Sequence, residues 1–198
     1  MNLPAITTPR LRLRPLTRKD AKAIYAWAKN PAVGPPAGWL PHASIDDTYD
    51  FLDFVEDKQK RGQPGPWAIM HKADRRLIGT IEFHGFHEHK AEIGFALDEA
   101  YWNQGIMTEA ARAAIVIGIE RFDLKRIAYK HFPDNEPSRA LRKKLGFTEE
   151  GLLRKGFKHT DGRLLDEVVA SYTDDDYARD FTDVIEPFKQ SIVIDDDV

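Results

Sequence analysis

The chain has 198 residues, 42% of them hydrophobic and 31% charged, with a net charge of −3. That size and apolar content fit one domain with a real core, and the charge excludes a global basic field for nucleic acid. Zero cysteines exclude disulfides, thiolate metal sites and cysteine nucleophiles. No apolar run approaches the roughly 18 residues that a membrane span needs, and the first six residues lack the pattern of a secretory signal. The expectation is a cytoplasmic protein with no membrane or nucleic-acid partner.

Residues 10–14, Arg-Leu-Arg-Leu-Arg, alternate strictly and predict a strand with Leu11 and Leu13 inward. Thr17 and Asp20 open a helix that runs to about Asn30, where Pro31 stops it. Residues 31–43 are rich in proline and glycine and predict an irregular loop. Ser44 caps a second helix with Tyr49, Phe51, Leu52 and Val55 on its apolar stripe, ended by Gly62. Residues 66–71, 77–87 and 91–97 read as three strands with short gaps, which favours antiparallel hairpins.

A glycine loop, residues 101–107, then feeds a strongly apolar helix over residues 108–122. A helix start exposes unpaired N–H groups and the positive end of the helix dipole, a built-in anion site. Residues 126–132 predict a strand reached by a parallel crossover. Residues 135–145 form a basic helix ended by Gly146. Residues 149–157 and 164–173 are strands around the turn Thr160-Asp161-Gly162, with Val168, Ala170 and Tyr172 alternating with Glu167, Val169 and Ser171. The pattern predicts an α/β (mixed α+β) domain over residues 1–180, a mixed, twisted sheet of six to seven strands with helices on both faces. Residues 181–198 are expected to be a tail with a disordered acidic end.

The ordered set Trp102-Asn103-Gln104-Gly105-Ile106-Met107, helix, strand, Asn135 with Ser138, then Leu145-Gly146-Phe147 and a hairpin resembles the GNAT superfamily of acetyl-CoA-dependent N-acetyltransferases. Further echoes at Thr8-Pro9-Arg10, Thr108-Glu109-Ala110 and Asp166-Glu167-Val168 resemble the branch typified by RimJ and RimL, which acetylates protein N-termini. The resemblance covers about residues 8–175. It implies a splay between the fourth and fifth strands, with acetyl-CoA as co-substrate. The acceptor would be a primary amine, on a protein N-terminus or a small molecule, attacked in a ternary complex. A non-catalytic acyl-CoA-binding module on the same fold is the alternative, and both monomer and homodimer stay open.

By that resemblance, Gln104, Gly105, Ile106, Met107 and Thr108 hold the pyrophosphate, although Met107 stands where a small residue is usual. Backbone groups of Phe95, Ala96 and Leu97 meet the pantetheine, and Asn135 grips the same arm. Ser138 donates a hydrogen bond to the departing thiolate. Arg142, with Arg139, Lys143 and Lys144, meets the adenosine phosphate or is simply a solvated helix face. The general base is open: some relatives carry a glutamate where Phe157 stands here, which leaves Glu92 and His131, or Glu82 and His84 through water. Trp39 and His42 are expected to wall the acceptor site with Glu82 and His84. His84, His87 and His89 are spaced by a loop, and no metal site is expected.

Overall fold

A computed structural model describes residues 3–196. Its single sheet has nine strands in the order β7-β8-β6-β5-β4-β3-β2-β1-β9. The front half is an antiparallel run: β1 (Ala5–Thr7), β2 (Leu11–Pro15), β3 (Trp67–His71), β4 (Arg76–His87) and β5 (Lys90–Leu97). The alternation in β2 does what the sequence predicts: Leu11 and Leu13 are buried and Arg12 is exposed. A parallel crossover leads from β5 to β6 (Arg126–His131), which pairs antiparallel with β8 (Leu164–Thr173); the edge strand β7 (Thr148–Lys158) hairpins onto β8.

Helices cover both faces because residues alternate across every strand. Helices α1 (Ala21–Ala28) and α2 (Ile45–Lys60) pack on the face that presents Ala68 and Leu77. Helix α3 (Ile106–Glu120) packs on the other face, against Trp67, Ile69, Ile81 and Phe83, and α4 (Glu136–Lys144) lies beside it over β6. Helix α3 is buried nearly all round, which explains its unbroken apolar sequence. Among the described residues no helix is long and apolar enough to cross a membrane.

Nine strands replace the expected six to seven. The additions are β1 and β9 (Val193–Asp195), which pair antiparallel through Ala5–Asp195, Ile6–Ile194 and Thr7–Val193. Three residues are too few to show a period-two pattern in sequence. The same pairing corrects the expected tail. Helix α5 (Asp174–Arg179), a π-helical turn (Phe181–Ile185) and α6 (Glu186–Lys189) bring Tyr177 and Ile185 into the main core, with Phe181, Val184 and Phe188 packed against it. Residue 180 is therefore no boundary. Asp195 lies in β9, and the final two residues of the expected disordered end lie outside the described residues.

One irregularity creates the site. Strands β5 and β6 pair only at Lys90–Arg126, Ala91–Ile127 and Glu92–Ala128, although β5 continues to Leu97 and β6 to His131. Beyond Glu92 the two strands part. The inner edge of β5 is left with backbone groups that need partners, while its outer edge stays paired to β4 as far as Leu97–Gly79. This is the expected splay; it falls between β5 and β6 once the short strand β1 is counted.

Candidate active site

The parting strands open a cleft of about 1000 Å³, at the upper end of the roughly 300–1,000 Å³ usual for ligand clefts. Its walls come from both sheet faces, so the cleft runs through the sheet rather than lying on it. Phe95, Leu97, Ile106, Met107, His131 and Ser138 line one side; His84, Glu92, Gly94, Ala96, Lys130 and Glu167 line the other.

At one end the glycine loop meets α3. The helix begins at Ile106, two residues before the expected start, and Gly105 is its N-cap in a left-handed conformation (φ 72°). The first i−4 bond is Glu109 N–H to Gly105 C=O, so the N–H groups of Ile106, Met107 and Thr108 have no intrahelical acceptor. These three residues line the cleft, and the bare helix end is chemically suited to a phosphate. Met107 is 8% exposed and belongs to the main core cluster.

The loop is clamped from outside. Glu109 accepts from the Thr8 hydroxyl at 2.6 Å, the Arg10 N–H at 2.9 Å and Arg10 Nε at 2.6 Å, while Arg10 Nη1 reaches Gln104 C=O at 2.8 Å. These donors hold the Glu109 carboxyl below the usual carboxylate range even though burial pushes it up. Trp102 donates its indole N–H to Leu97 C=O at 2.9 Å, which ties the loop to the free edge of β5. Gln104 does not line the cleft as expected: its amide donates to Ala100 C=O at 2.8 Å.

Across the splay, Asn135 caps α4. Its Oδ1 accepts from Ser138 N–H at 3.1 Å and its Nδ2 donates to Pro36 C=O at 3.0 Å. Both ends of the amide are thus occupied, so Asn135 lines the cleft while fixing the loop at residues 34–38 rather than offering a free grip. Ser138, 9% exposed, points its Oγ to within 2.7 Å of the Tyr129 hydroxyl, which also lies 2.9 Å from Ser138 C=O. Burial pushes the Tyr129 hydroxyl far up, against the pull of Ser138 and Arg142, so it stays protonated and serves as a donor. No motif singles out Tyr129; the alternation along β6 and the packing of α4 on that strand bring it there.

Several expected positions fall elsewhere, for physical reasons. Arg142 is 4% exposed, donates to Phe147 C=O at 3.3 Å and to Glu149 at 2.6 Å, and does not line the cleft. It lies one turn after Ser138 on the inner side of α4, where Glu149 supplies its counter-charge; Lys144 is the basic residue of this helix on the cleft. Trp39 packs behind Gly34 and against His42 (ring centroids 5.4 Å apart), and His42 Nδ1 meets the buried Thr48 hydroxyl at 2.7 Å. They support the loop from behind, and Ala32, Val33 and Pro35–Ala37 make the wall instead. Glu82 is held by Lys58 Nζ at 2.8 Å and is likewise off the cleft.

Five expected positions with titratable or hydroxyl groups do line the cleft: Thr108, Ser138, Glu92, His131 and His84. Glu92 accepts from Lys130 Nζ at 2.8 Å, with His84 Nε2 at 3.8 Å. His131, 4% exposed, directs Nδ1 to Phe132 C=O at 2.8 Å and leaves Nε2 buried without a partner. Among the described residues no group of three His, Asp or Glu side chains is placed to hold a metal ion.

A model of the acetyltransferase (GNAT) domain matches residues 10–148. The chain belongs to this family of acetyl-CoA-dependent acetyltransferases, and it moves an acetyl group to an amine. It is 31% identical to the N-acetyltransferase p20 of Bacillus licheniformis over 86% of this chain and 97% of that one. It is 26% identical to the [ribosomal protein uS5]-alanine N-acetyltransferase of Escherichia coli, over 89% and 95% of the two chains. The crystal structure of a GNAT-family acetyltransferase from Bacillus anthracis superposes with a TM-score of 0.76 at 26% identity, covering 86% of this chain and 99% of that one.

Proposed function

We propose that the chain acetylates the N-terminal amine of a protein by direct attack on acetyl-CoA in a ternary complex. The observation that carries this reading is the cleft that passes through the β5–β6 splay and opens on both faces of the sheet. One mouth offers the bare N-terminus of α3, and the other is roofed by residues 32–37 and bears the carboxylates Glu92 and Glu167. Two ligands entering from opposite faces meet where the strands part, as a ternary route requires. An acidic mouth attracts an ammonium group.

Acetyl-CoA supplies the acyl group as an activated thioester. The N–H groups of Ile106, Met107 and Thr108 hold its pyrophosphate, and the free edge of β5 at Phe95–Leu97 runs beside its pantetheine. Ser138 gives a hydrogen bond to sulfur as the thiolate leaves, with Tyr129 behind it. The E. coli relative, by its name, acts on the alanine of a ribosomal protein, and an acceptor of that kind would place the reaction in the cytoplasm.

The test is CoA thiol release with three acceptor sets: peptides with free N-termini, the same peptides N-formylated but carrying lysine, and small primary amines. Turnover confined to free N-terminal peptides is the expected result. Faster turnover of blocked lysine peptides or small amines would overturn the choice of acceptor.

A further inference from the structure

Glu167 is a largely buried residue whose carboxylate has only the more distant charge of Lys130 to balance it. It is 6% exposed, it lines the cleft, and among the described residues no donor forms a hydrogen bond or ion pair with it. Its oxygens are not among the sealed polar atoms that lack a partner, which are Trp27 Nε1, His131 Nε2, Arg142 Nε and His159 Nε2 among the described residues, so the carboxylate is open to the cleft and free to accept. Its neighbour Asp166 is different: that carboxylate accepts from Lys155 N–H at 2.8 Å and steadies the left-handed residue Lys155 (φ 54°) in β7.

The strand registers decide where Glu167 faces. Glu92 stands opposite Ala128, Lys130 opposite Val169 and Leu153 opposite Glu167. Glu92, Lys130 and Glu167 therefore share one sheet face, the acceptor side of the splay. A register shift between Leu153 and Phe157 brings Gly156 against the carboxylate: a methyl group there would sit 2.9 Å from Glu167 Oε2. The other titratable groups lining the cleft are His84, Glu92, Tyr101, Lys130, His131, Asp134, Lys144, His159, Arg163 and Asp166; of these, Lys130 and Glu92 act most directly on Glu167, the first with positive and the second with negative charge.

We propose that Glu167 takes the proton from the acceptor amine. The inference rests on the reading of this cleft as an amine acetyltransferase site. Its competitors are less available. Glu92 is held by Lys130 at 2.8 Å, and the His131 ring lies on the opposite face beside Tyr129, with its free nitrogen sealed from solvent. Burial and the nearby Glu92 raise the Glu167 carboxyl above its usual value despite Lys130, which brings it closer to the basicity of an amine in need of a proton acceptor.

The atoms balance as follows. The acceptor arrives as an ammonium, and one N–H proton passes to Glu167 and then to solvent. The freed nitrogen lone pair forms the N–C bond at the thioester carbonyl, the C–S bond breaks, and its electron pair leaves on sulfur. The second nitrogen proton ends on that sulfur, with Ser138 beside it as hydrogen-bond donor.

The experiment compares wild type with Glu167→Gln, Glu167→Ala and Gly156→Ala, using CoA calorimetry, acceptor kinetics and the carboxyl 13C resonance of Glu167. Expected are a fall in kcat of roughly 10²–10³-fold for Glu167→Gln, CoA affinity within about twofold of wild type, and recovery of Glu167→Ala by added formate. Gly156→Ala should lower kcat by displacing the carboxylate, and the Glu167 resonance should titrate above the ordinary glutamate range. A Glu167→Gln enzyme within about threefold of wild type would overturn the proposal and return the role to His131. A Glu167→Ala loss untouched by formate would make Glu167 a packing residue and would overturn it equally. If wild type itself released no thiol with any amine, the underlying reading of the cleft would fail instead.

Discussion

Replacing Ser138 by alanine tests the chemistry at the centre of the cleft. The hydroxyl lies in the first turn of α4, 2.7 Å from the Tyr129 hydroxyl. Tyr129 has one proton to give. When it rests on Ser138 Oγ, the serine proton is free to point at the leaving sulfur. A hydrogen bond to a charged group is worth about 1.5–3 kcal/mol. At about 1.4 kcal/mol per tenfold, kcat should fall roughly 10- to 150-fold. Stability should change far less, because Tyr129 keeps a second acceptor in the backbone carbonyl of residue 138 at 2.9 Å. The lost neutral bond then costs about 1 kcal/mol or less. Stopped-flow detection of CoA thiol at saturating acetyl-CoA reads kcat, calorimetry with CoA reads binding, and urea titration reads stability. A kcat within about twofold of wild type would refute the reasoning. So would a rate loss matched by equal losses of CoA affinity and stability, which would reduce Ser138 to a helix-start residue.

Three other changes probe the surrounding structure. Gly105→Glu should abolish CoA binding by calorimetry, since it sets a carboxylate at the bare helix end and adds about 1–2 kcal/mol of left-handed backbone strain; Gly105→Asn, which tolerates that conformation, should retain much of the binding. Arg142→Met should lower unfolding free energy by about 1–3 kcal/mol by removing the hydrogen bonds to Glu149 and Phe147. Its CoA affinity should be unchanged, whereas a clear loss would restore Arg142 to the phosphate site. Glu150 is held down to about 2 by its pairing with Arg126 and by the Ser171 hydroxyl, from an ordinary value of 4.5. A depressed carboxylate stabilises the fold above its unfolded value, and that contribution disappears as pH falls from about 4.5 towards 2. Glu150→Gln should therefore flatten the acid limb of a stability-versus-pH curve in that window, and an unchanged slope would contradict the assignment.

The patterns that survive without tertiary information are local ones. Alternation in residues 10–14 and the all-apolar run of α3 were legible because period and burial are set by backbone geometry. The glycine loop and the helix after it announced an anion site for the same reason: exposed N–H groups belong to any helix start. Even so, the helix begins at Ile106 rather than at Thr108, with a left-handed Gly105 as its N-cap. Arg142 misled because a basic run gives no sign of which turn faces inward; only the position of Glu149 on β7 makes its burial tolerable. Trp39 and His42 were placed in the right loop but on its wrong side, since a proline-rich segment has no period to read.

By itself, the sequence determined the order of the main elements between residues 10 and 173, the family, and the loop proposed to hold phosphate, all carried by local motifs. The tertiary structure alone decided the splay, the closing of the sheet edge by β9, and the meeting of Tyr129 with Ser138. It also decided that Glu167, one of two adjacent acids, is buried facing the cleft while Asp166 is tied to Lys155. The physical reason is register: a one-residue change in strand pairing turns a side chain to the opposite face, and pairing is fixed by partners far away along the chain.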